Sequence, residues 1–219
     1  MFRKLFGVFV ALACMVSGPA QALVIDFEGL AVTDAVQHAH GMSYTEKGFN
    51  FTSSSRLHNF ATWGTLSANF FGSTALWNGD GTGVNGITTL TKVGGGAFDL
   101  LSIDLAELLL VDPSGGAASV NFTATFSGGG TASQSFTLDD VRATNDINSF
   151  QTLNFSGFND IVSVSWLQVT PFHQFDNVTI RSAAIAVAEP STLALFAAAL
   201  AGLAFFGWRS GRLAPRRSA

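Results

Sequence analysis

The sequence predicts an all-β fold, a β-sandwich of jelly-roll type, preceded by a secretory signal and followed by one apolar helix. Three observations predict it. Charged residues are 12% of the 219 residues, about half the ~25% usual in globular chains, which disfavours a bundle of charged helices. Short stretches alternate apolar and polar side chains between clusters of glycine and other turn residues. Helical periodicity is nearly absent before Thr192. With 47% hydrophobic residues, 21 of them Phe, the chain has ample material for a core, which argues against disorder. A body of about 164 residues suits one sandwich core, and no repeat at solenoid or propeller spacing is visible.

The N-terminus reads as a signal peptide over 1–22. Arg3 and Lys4 form its basic start, Leu5 to Val16 its apolar stretch, and Ala20-Gln21-Ala22 an A-x-A cleavage site. Cleavage there starts the mature chain at Leu23. It removes Cys14, the only cysteine, and with it any disulfide or zinc-thiolate site. An uncleaved anchor and a lipoprotein acylated at Cys14 are the rival readings; the second leaves a very short apolar region.

Residues 23–186 read as about ten short strands. Leu23 to Phe27 is the first, with Ile25 and Phe27 on one face. Phe49 and Phe51 mark another, and Ile87 to Val93 another. Residues 72–96 look like a glycine-rich loop region around that strand, the kind of place where sandwiches carry ligands. Phe98 to Leu110 is apolar enough for a central strand. Ser119 to Phe126 is the cleanest, with Val120, Phe122, Ala124 and Phe126 on one face. Gly128 to Gly130 ends it, and Thr131 to Leu138 returns as a hairpin. Phe150 to Phe155, Asp160 to Val169 and Phe175 to Arg181 follow. In Asp160 to Val169, Val162, Val164 and Trp166 share a face. Four Asn-x-Ser/Thr sequons, at Asn50, Asn121, Asn154 and Asn177, have the same polar-apolar-polar pattern and read as strand segments.

The tail, 187–219, differs in composition. Val187-Ala188-Glu189-Pro190-Ser191 precedes 17 uncharged residues from Thr192 to Trp208, followed by Arg209, Arg212, Arg216 and Arg217. Seventeen residues is the lower limit for a membrane span, and the arginines would stay on the cytoplasmic side as its stop. This order of motif, helix and basic end resembles the PEP-CTERM sorting signal, whose region is also labelled an ice-binding-protein C-terminal domain. It departs from the pattern in having Ala188 where proline is common. The resemblance implies recognition by an exosortase, a membrane transpeptidase-like enzyme. It further implies export across the inner membrane of a Gram-negative bacterium, anchoring by the C-terminal helix, and a place in the envelope or exopolysaccharide matrix. The ice-binding label finds no support in Thr88, Thr89 and Thr91, which do not make a regular threonine array.

Between 23 and 188 the chain carries fourteen acidic and five basic residues, a net charge of −9. Such a body repels nucleic acid and anionic lipid and attracts divalent cations. Asp176 falls on an apolar strand face with Val178 and Ile180, and a carboxylate there needs a partner. Glu28 and Asp176, with carbonyls, could supply a structural calcium, which takes six to eight oxygens. The opening Ile25-Asp26-Phe27-Glu28-Gly29 and the closing Phe175-Asp176-Asn177-Val178-Thr179-Ile180 also resemble exported carbohydrate-binding jelly rolls. That resemblance implies neighbouring first and last strands, whose acids often hold calcium. Asn78-Gly79-Asp80-Gly81 lacks the alternating acids and distal Glu of an EF-hand and reads as a turn.

Trp63 and Trp77 lie in loop-like stretches and are the rings expected to meet a polysaccharide; Trp166 reads as core. His38 and His40 would share one side of a strand, but no HExxH motif or acid at ligand spacing supports a metal pair. No G-x-S-x-G elbow is present, and adjacent Asp139 and Asp140 point to opposite faces. The expectation is a non-enzymatic exported protein that binds carbohydrate. The alternative is a polysaccharide hydrolase or lyase on the same scaffold, which would need two facing carboxylates.

Overall fold

The alternation in Ser119–Phe126 does produce a strand with Val120, Phe122 and Ala124 fully buried and Ser119 and Asn121 exposed. It belongs to a computed structural model that describes residues 21–54, 59–79, 86–108, 117–141, 146–169 and 172–182. The signal peptide up to residue 20, the sorting motif Val187 to Ser191, the apolar stretch 192–208 and the arginines after it lie outside the described residues.

Thirteen strands run through the described residues. They are β1 (Ala22–Ile25), β2 (Gln37–Gly41), β3 (Ser43–Glu46), β4 (Phe49–Ser53), β5 (Phe60–Trp63), β6 (Trp77–Asn78) and β7 (Ile87–Lys92). They continue as β8 (Phe98–Glu107), β9 (Ser119–Phe126), β10 (Thr131–Thr137), β11 (Gln151–Asn154), β12 (Ile161–Leu167) and β13 (His173–Ser182). The chain is all-β, with helix confined to the short 3-10 turns Glu28–Leu30 and Ile147–Ser149 among the described residues.

Ten of these strands form one hydrogen-bonded network, all pairings antiparallel. It resolves into two layers. One runs β3-β4-β7-β12-β9-β10, the other β1-β13-β8-β11. The layers join at the single pair Ile161↔Phe98, which gives the network a barrel-like closure on one side. Their inner faces pack ring on ring, as in a β-sandwich. Phe49 meets Phe98 at 5.3 Å, Phe51 meets Phe175 at 5.7 Å, and Trp166 meets Phe175 at 5.1 Å between ring centroids. Burying such rings contributes roughly 1.5–3 kcal/mol each.

Two hairpins have legible turns. Gly129 (φ 90°) and Gly130 (φ 84°) take the left-handed conformations that close β9 onto β10. Lys47 (φ 48°) and Gly48 (φ 80°) make a two-residue turn between β3 and β4, with both residues at positive φ as the type I′ geometry requires.

One expected face is corrected. Val164 and Trp166 are buried, but Val162 is 36% exposed and Ile161 takes the inward place. A register shift between Ile161 and Ser163 inserts a residue there, which turns Val162 outward. Residues 72–96, expected as loop around one strand, hold two: β6 as well as β7. A smaller sheet, β2-β5-β6, stands apart from the ten-stranded network in strand pairing. The bridge Leu76↔Phe175 ties the segment before β6 to β13.

Candidate functional site

The last strand carries the site because its edge is covered from two directions and left open between them. β1 pairs with β13 as far as Ile25↔Val178. Leu76 pairs with Phe175 through two backbone bonds of 2.9 and 2.8 Å. Asp176 and Asn177 fall in the gap. There β13 bulges: its register against β8 shifts between Asp176 and Thr179, and Asn177 adopts φ 46°. Beyond β1 the chain turns sharply at Phe27 (φ 51°), and the turn Glu28–Leu30 places the Glu28 side chain over the same gap.

Glu28 and Asp176 are thus brought together, and Ser73 joins them. Ser73 Oγ donates to Glu28 Oε1 at 2.8 Å and also lies within hydrogen-bond distance of Asp176 Oδ2. The Thr74 N–H donates to Glu28 Oε1 at 3.1 Å and its hydroxyl to Oε2 at 3.2 Å. The Asn177 N–H donates to Asp176 Oδ1 at 2.7 Å. Asp104 lies directly opposite Asp176 on β8, held by the Thr152 hydroxyl at 2.6 Å and the Asn177 amide at 2.9 Å.

A serine hydroxyl has one proton to donate, yet two carboxylates converge on it, one of them fully buried. The site is short of one positive charge, a proton or a cation. The Asp176 carboxyl is accordingly pushed up to about 7, chiefly by burial, with the Glu28 and Asp104 charges adding to the rise and the bonds from Ser73 and Asn177 opposing it. The donors are all oxygen, the chemistry of a hard cation. Among the described residues no group of three or more His, Cys, Asp and Glu side chains is placed to hold a metal ion. A calcium ion here would therefore draw most of its oxygens from hydroxyls, carbonyls and water.

Trp63 and Trp77 are also brought together. Trp63 closes β5 and Trp77 opens its partner β6, and the two rings stack with centroids 6.2 Å apart and planes 10° apart. The expectation that both stand in exposed loops is corrected for Trp77, which is 3% exposed and packs on Phe172. Pairing of Ala61 with Trp77 turns that ring into a small second core with Ala61 and Leu108. Trp63 is half-buried. Neither indole N–H has a hydrogen-bond partner among the described residues.

The histidines of β2 part company. His38 Nε2 bonds Asp34 at 3.0 Å, and His40 Nε2 bonds the Thr62 hydroxyl at 2.8 Å. Burial holds His40 below its ordinary value, with the His38 charge adding to the effect. Asp139 and Asp140 both lie exposed past the end of β10.

A feature that sequence reasoning missed is an open groove of about 280 Å³ on the outer face of the larger layer. Ile87, Asn121, Thr123, Ser165 and Leu167 line it, contributed by three adjacent strands.

No protein-family model matches the chain, and no curated protein matches it. Several solved structures show a distant likeness to it. One is a DUF4465 family protein from Bacteroides caccae, 14% identical, covering 73% of this chain and 98% of its own, with a TM-score of 0.48. Another is a family 32 carbohydrate-binding module from C. perfringens NanJ in complex with galactose. It is 10% identical and covers 66% of this chain and 99% of its own, with a TM-score of 0.37. A third is a family 29 carbohydrate-binding module complexed with mannohexaose, 12% identical, covering 76% of this chain and 94% of its own, also at 0.37.

Proposed function

We propose that this chain is an exported, non-catalytic β-sandwich of jelly-roll type that binds carbohydrate in the cell envelope or extracellular matrix and is stabilised by a calcium ion. In this reading Glu28 and Asp176 hold the cation, and the region of Trp63 and Trp77 meets polysaccharide. The signal peptide carries the chain across the inner membrane. The motif Val187 to Ser191, the span 192–208 and Arg209, Arg212, Arg216 and Arg217 present it to an exosortase-type enzyme.

One observation carries the reading. Two carboxylates, one of them fully buried, converge on a single serine hydroxyl at a gap in the last strand. A protein has little reason to bury that charge without a counter-ion. A bound cation would hold β1, the 73–76 segment and β13 to one another, and so fix the end of the sandwich that carries the tryptophans.

The test is thermal melting of the protein with calcium and with chelator, followed by affinity electrophoresis in gels containing a neutral glucan. The expected result is a calcium-dependent rise in Tm that is absent in Asp176→Ala, and retardation by the glucan. No calcium shift refutes the cation site. Release of reducing ends from the polysaccharide would favour the hydrolase or lyase alternative.

A further inference from the structure

Antiparallel pairing makes β10 an open edge. It pairs with β9 and with no other strand among the described residues. The bonds Phe126 N–H to Gly130 O (3.1 Å) and Leu138 N–H to Ala118 O (2.9 Å) bracket the hairpin. Because bonded and non-bonded pairs alternate, Ala132, Gln134 and Phe136 direct their backbone groups to β9. Thr131, Ser133, Ser135 and Thr137 direct theirs away from it. Four N–H and four C=O groups therefore line one free edge.

Other edges of the network are blunted in ways that natural sheets use. On β1 the Lys47 ammonium caps the Val24 carbonyl at 2.8 Å and pairs with Asp26 at 3.0 Å. β3 ends at Glu46, itself 3.2 Å from Lys47. β11 is four residues long. β10 has none of these devices. It is seven residues long, Thr-Ala-Ser-Gln-Ser-Phe-Thr, with no charge and no proline, and its register against β9 is unbroken. Its hydroxyls reach sideways to β9: Ser133 bonds Thr123 at 3.0 Å, Ser135 donates to Asn121 at 3.0 Å, and Thr137 bonds Ser119 at 3.2 Å. On the opposite face the Gln134 side chain donates to the Asn154 carbonyl at 3.5 Å and accepts from the Ser156 N–H at 3.2 Å, so it too is directed away from the open edge.

We propose that β10 is a self-association edge, on which a second copy of this chain adds its own β10 antiparallel about a two-fold axis at Gln134. This register sets Thr131 against the partner's Thr137 and Ser133 against the partner's Ser135, so all the outward groups on both chains are paired. It is isologous, as a closed two-fold contact must be. Charge placement selects it over a parallel arrangement. Two bodies of net charge −9 repel, and the nearest acids, Asp139 and Asp140, directly follow Leu138 at the strand's end. Antiparallel pairing sets them against the partner's uncharged Gly128–Gly130 turn, whereas parallel pairing would put all four carboxylates together. The six-stranded layer then continues into a twelve-stranded one, with its polar outer faces side by side. This edge is separate from Glu28, Asp176 and the tryptophans, and the proposal does not rest on the ligand reading.

The test uses the full chain with Cys14→Ser, so that an introduced thiol stands alone. In Gln134→Cys the two thiols would sit at a non-hydrogen-bonded pair, with Cα atoms about 4.5 Å apart, inside the range a disulfide spans. In Ser135→Cys they would be offset by two residues and out of reach. The expected result is a disulfide dimer for Gln134→Cys on non-reducing gels after export, and only background for Ser135→Cys. Adding Ser135→Pro removes an outward N–H without touching the β9 ladder, and the dimer should be lost. Ser133→Lys, which puts a charge on the edge, gives the same loss if the proline chain does not accumulate. No dimer from a folded, protease-resistant Gln134→Cys chain overturns the proposal. So does equal cross-linking of Ser135→Cys, or an adduct with a different protein.

Discussion

Replacing Asp176 with asparagine removes the carboxylate at the gap in β13 while keeping its shape. The asparagine Oδ1 still accepts the Asn177 N–H, and its amide donates to Ser73 Oγ, which is then free to give its proton to Glu28. The structure sets the size of the effect. With the Asp176 carboxyl raised from 3.8 to about 7, the folded state holds a proton that the unfolded chain has released. Below about pH 4 both states are protonated, and the contribution is fully present. Between pH 4 and 7 only the unfolded chain ionises, and stability falls as pH rises. The loss is about 4 kcal/mol, at roughly 1.4 kcal/mol per pH unit. Urea denaturation in chelator across pH 4 to 8 reads this directly. The wild-type chain should lose about 4 kcal/mol relative to Asp176→Asn over that window, because every other group titrates alike in both. A difference that does not change with pH would refute the reasoning. Saturating calcium should flatten or reverse the wild-type slope, since the ion binds the ionised carboxylate, and should leave the variant unchanged.

Other perturbations test separate parts. His173 is fully buried, neither ring nitrogen has a partner among the described residues, and burial pushes it down to about 3. Its unfolded form takes a proton below pH 6.5 and its folded form does not, so His173 by itself should withdraw about 3 kcal/mol of stability on going from pH 7 to 4.5, opposite in sign to the Asp176 contribution and read as the difference between wild type and His173→Leu. In denaturant titrations His173→Leu should therefore gain about 3 kcal/mol relative to wild type over that interval, and a difference that does not change with pH would contradict a neutral buried imidazole. Trp77→Ala should cost about 3–5 kcal/mol, as a large buried ring leaves a cavity, whereas half-buried Trp63→Ala should cost less and weaken glucan retardation. Gly64→Ala would drive a methyl group into the Asp34 backbone and carboxylate; a loss of about 1–3 kcal/mol is expected in thermal melting. Deleting 192–219 should release the protein in soluble form on fractionation, and finding it still membrane-bound would contradict the anchor.

The hairpin β9–β10 was readable because each strand buries one face and wets the other, which writes a period of two into the sequence. Trp77 was misread because its environment is made by β5, sixteen residues upstream at Ala61, and by Phe172. Its glycine-rich neighbours resemble a loop from any local window. β3 was missed for a related reason: Lys47-Gly48 is a turn only because both residues take positive φ. Val162 alternates correctly in sequence, and the bulge beside it breaks the rule. At the site, Glu28 and Asp176 stood out as acids in apolar strand ends. Ser73 and Thr74 carried no signal, since they lie 45 or more positions from the carboxylates they serve.

The sequence by itself determined the all-β class, the acidic body, the strand positions with clean alternation and the two acids that needed a partner. These follow from composition and local period, which act over a few residues. Only the tertiary structure decided that one hydroxyl sits between those acids, that Trp77 is packed inward and that β10 is left as a bare edge. Each depends on which strands lie side by side, and that is fixed by long-range burial of aromatic faces between the two layers, not by any short stretch of the chain.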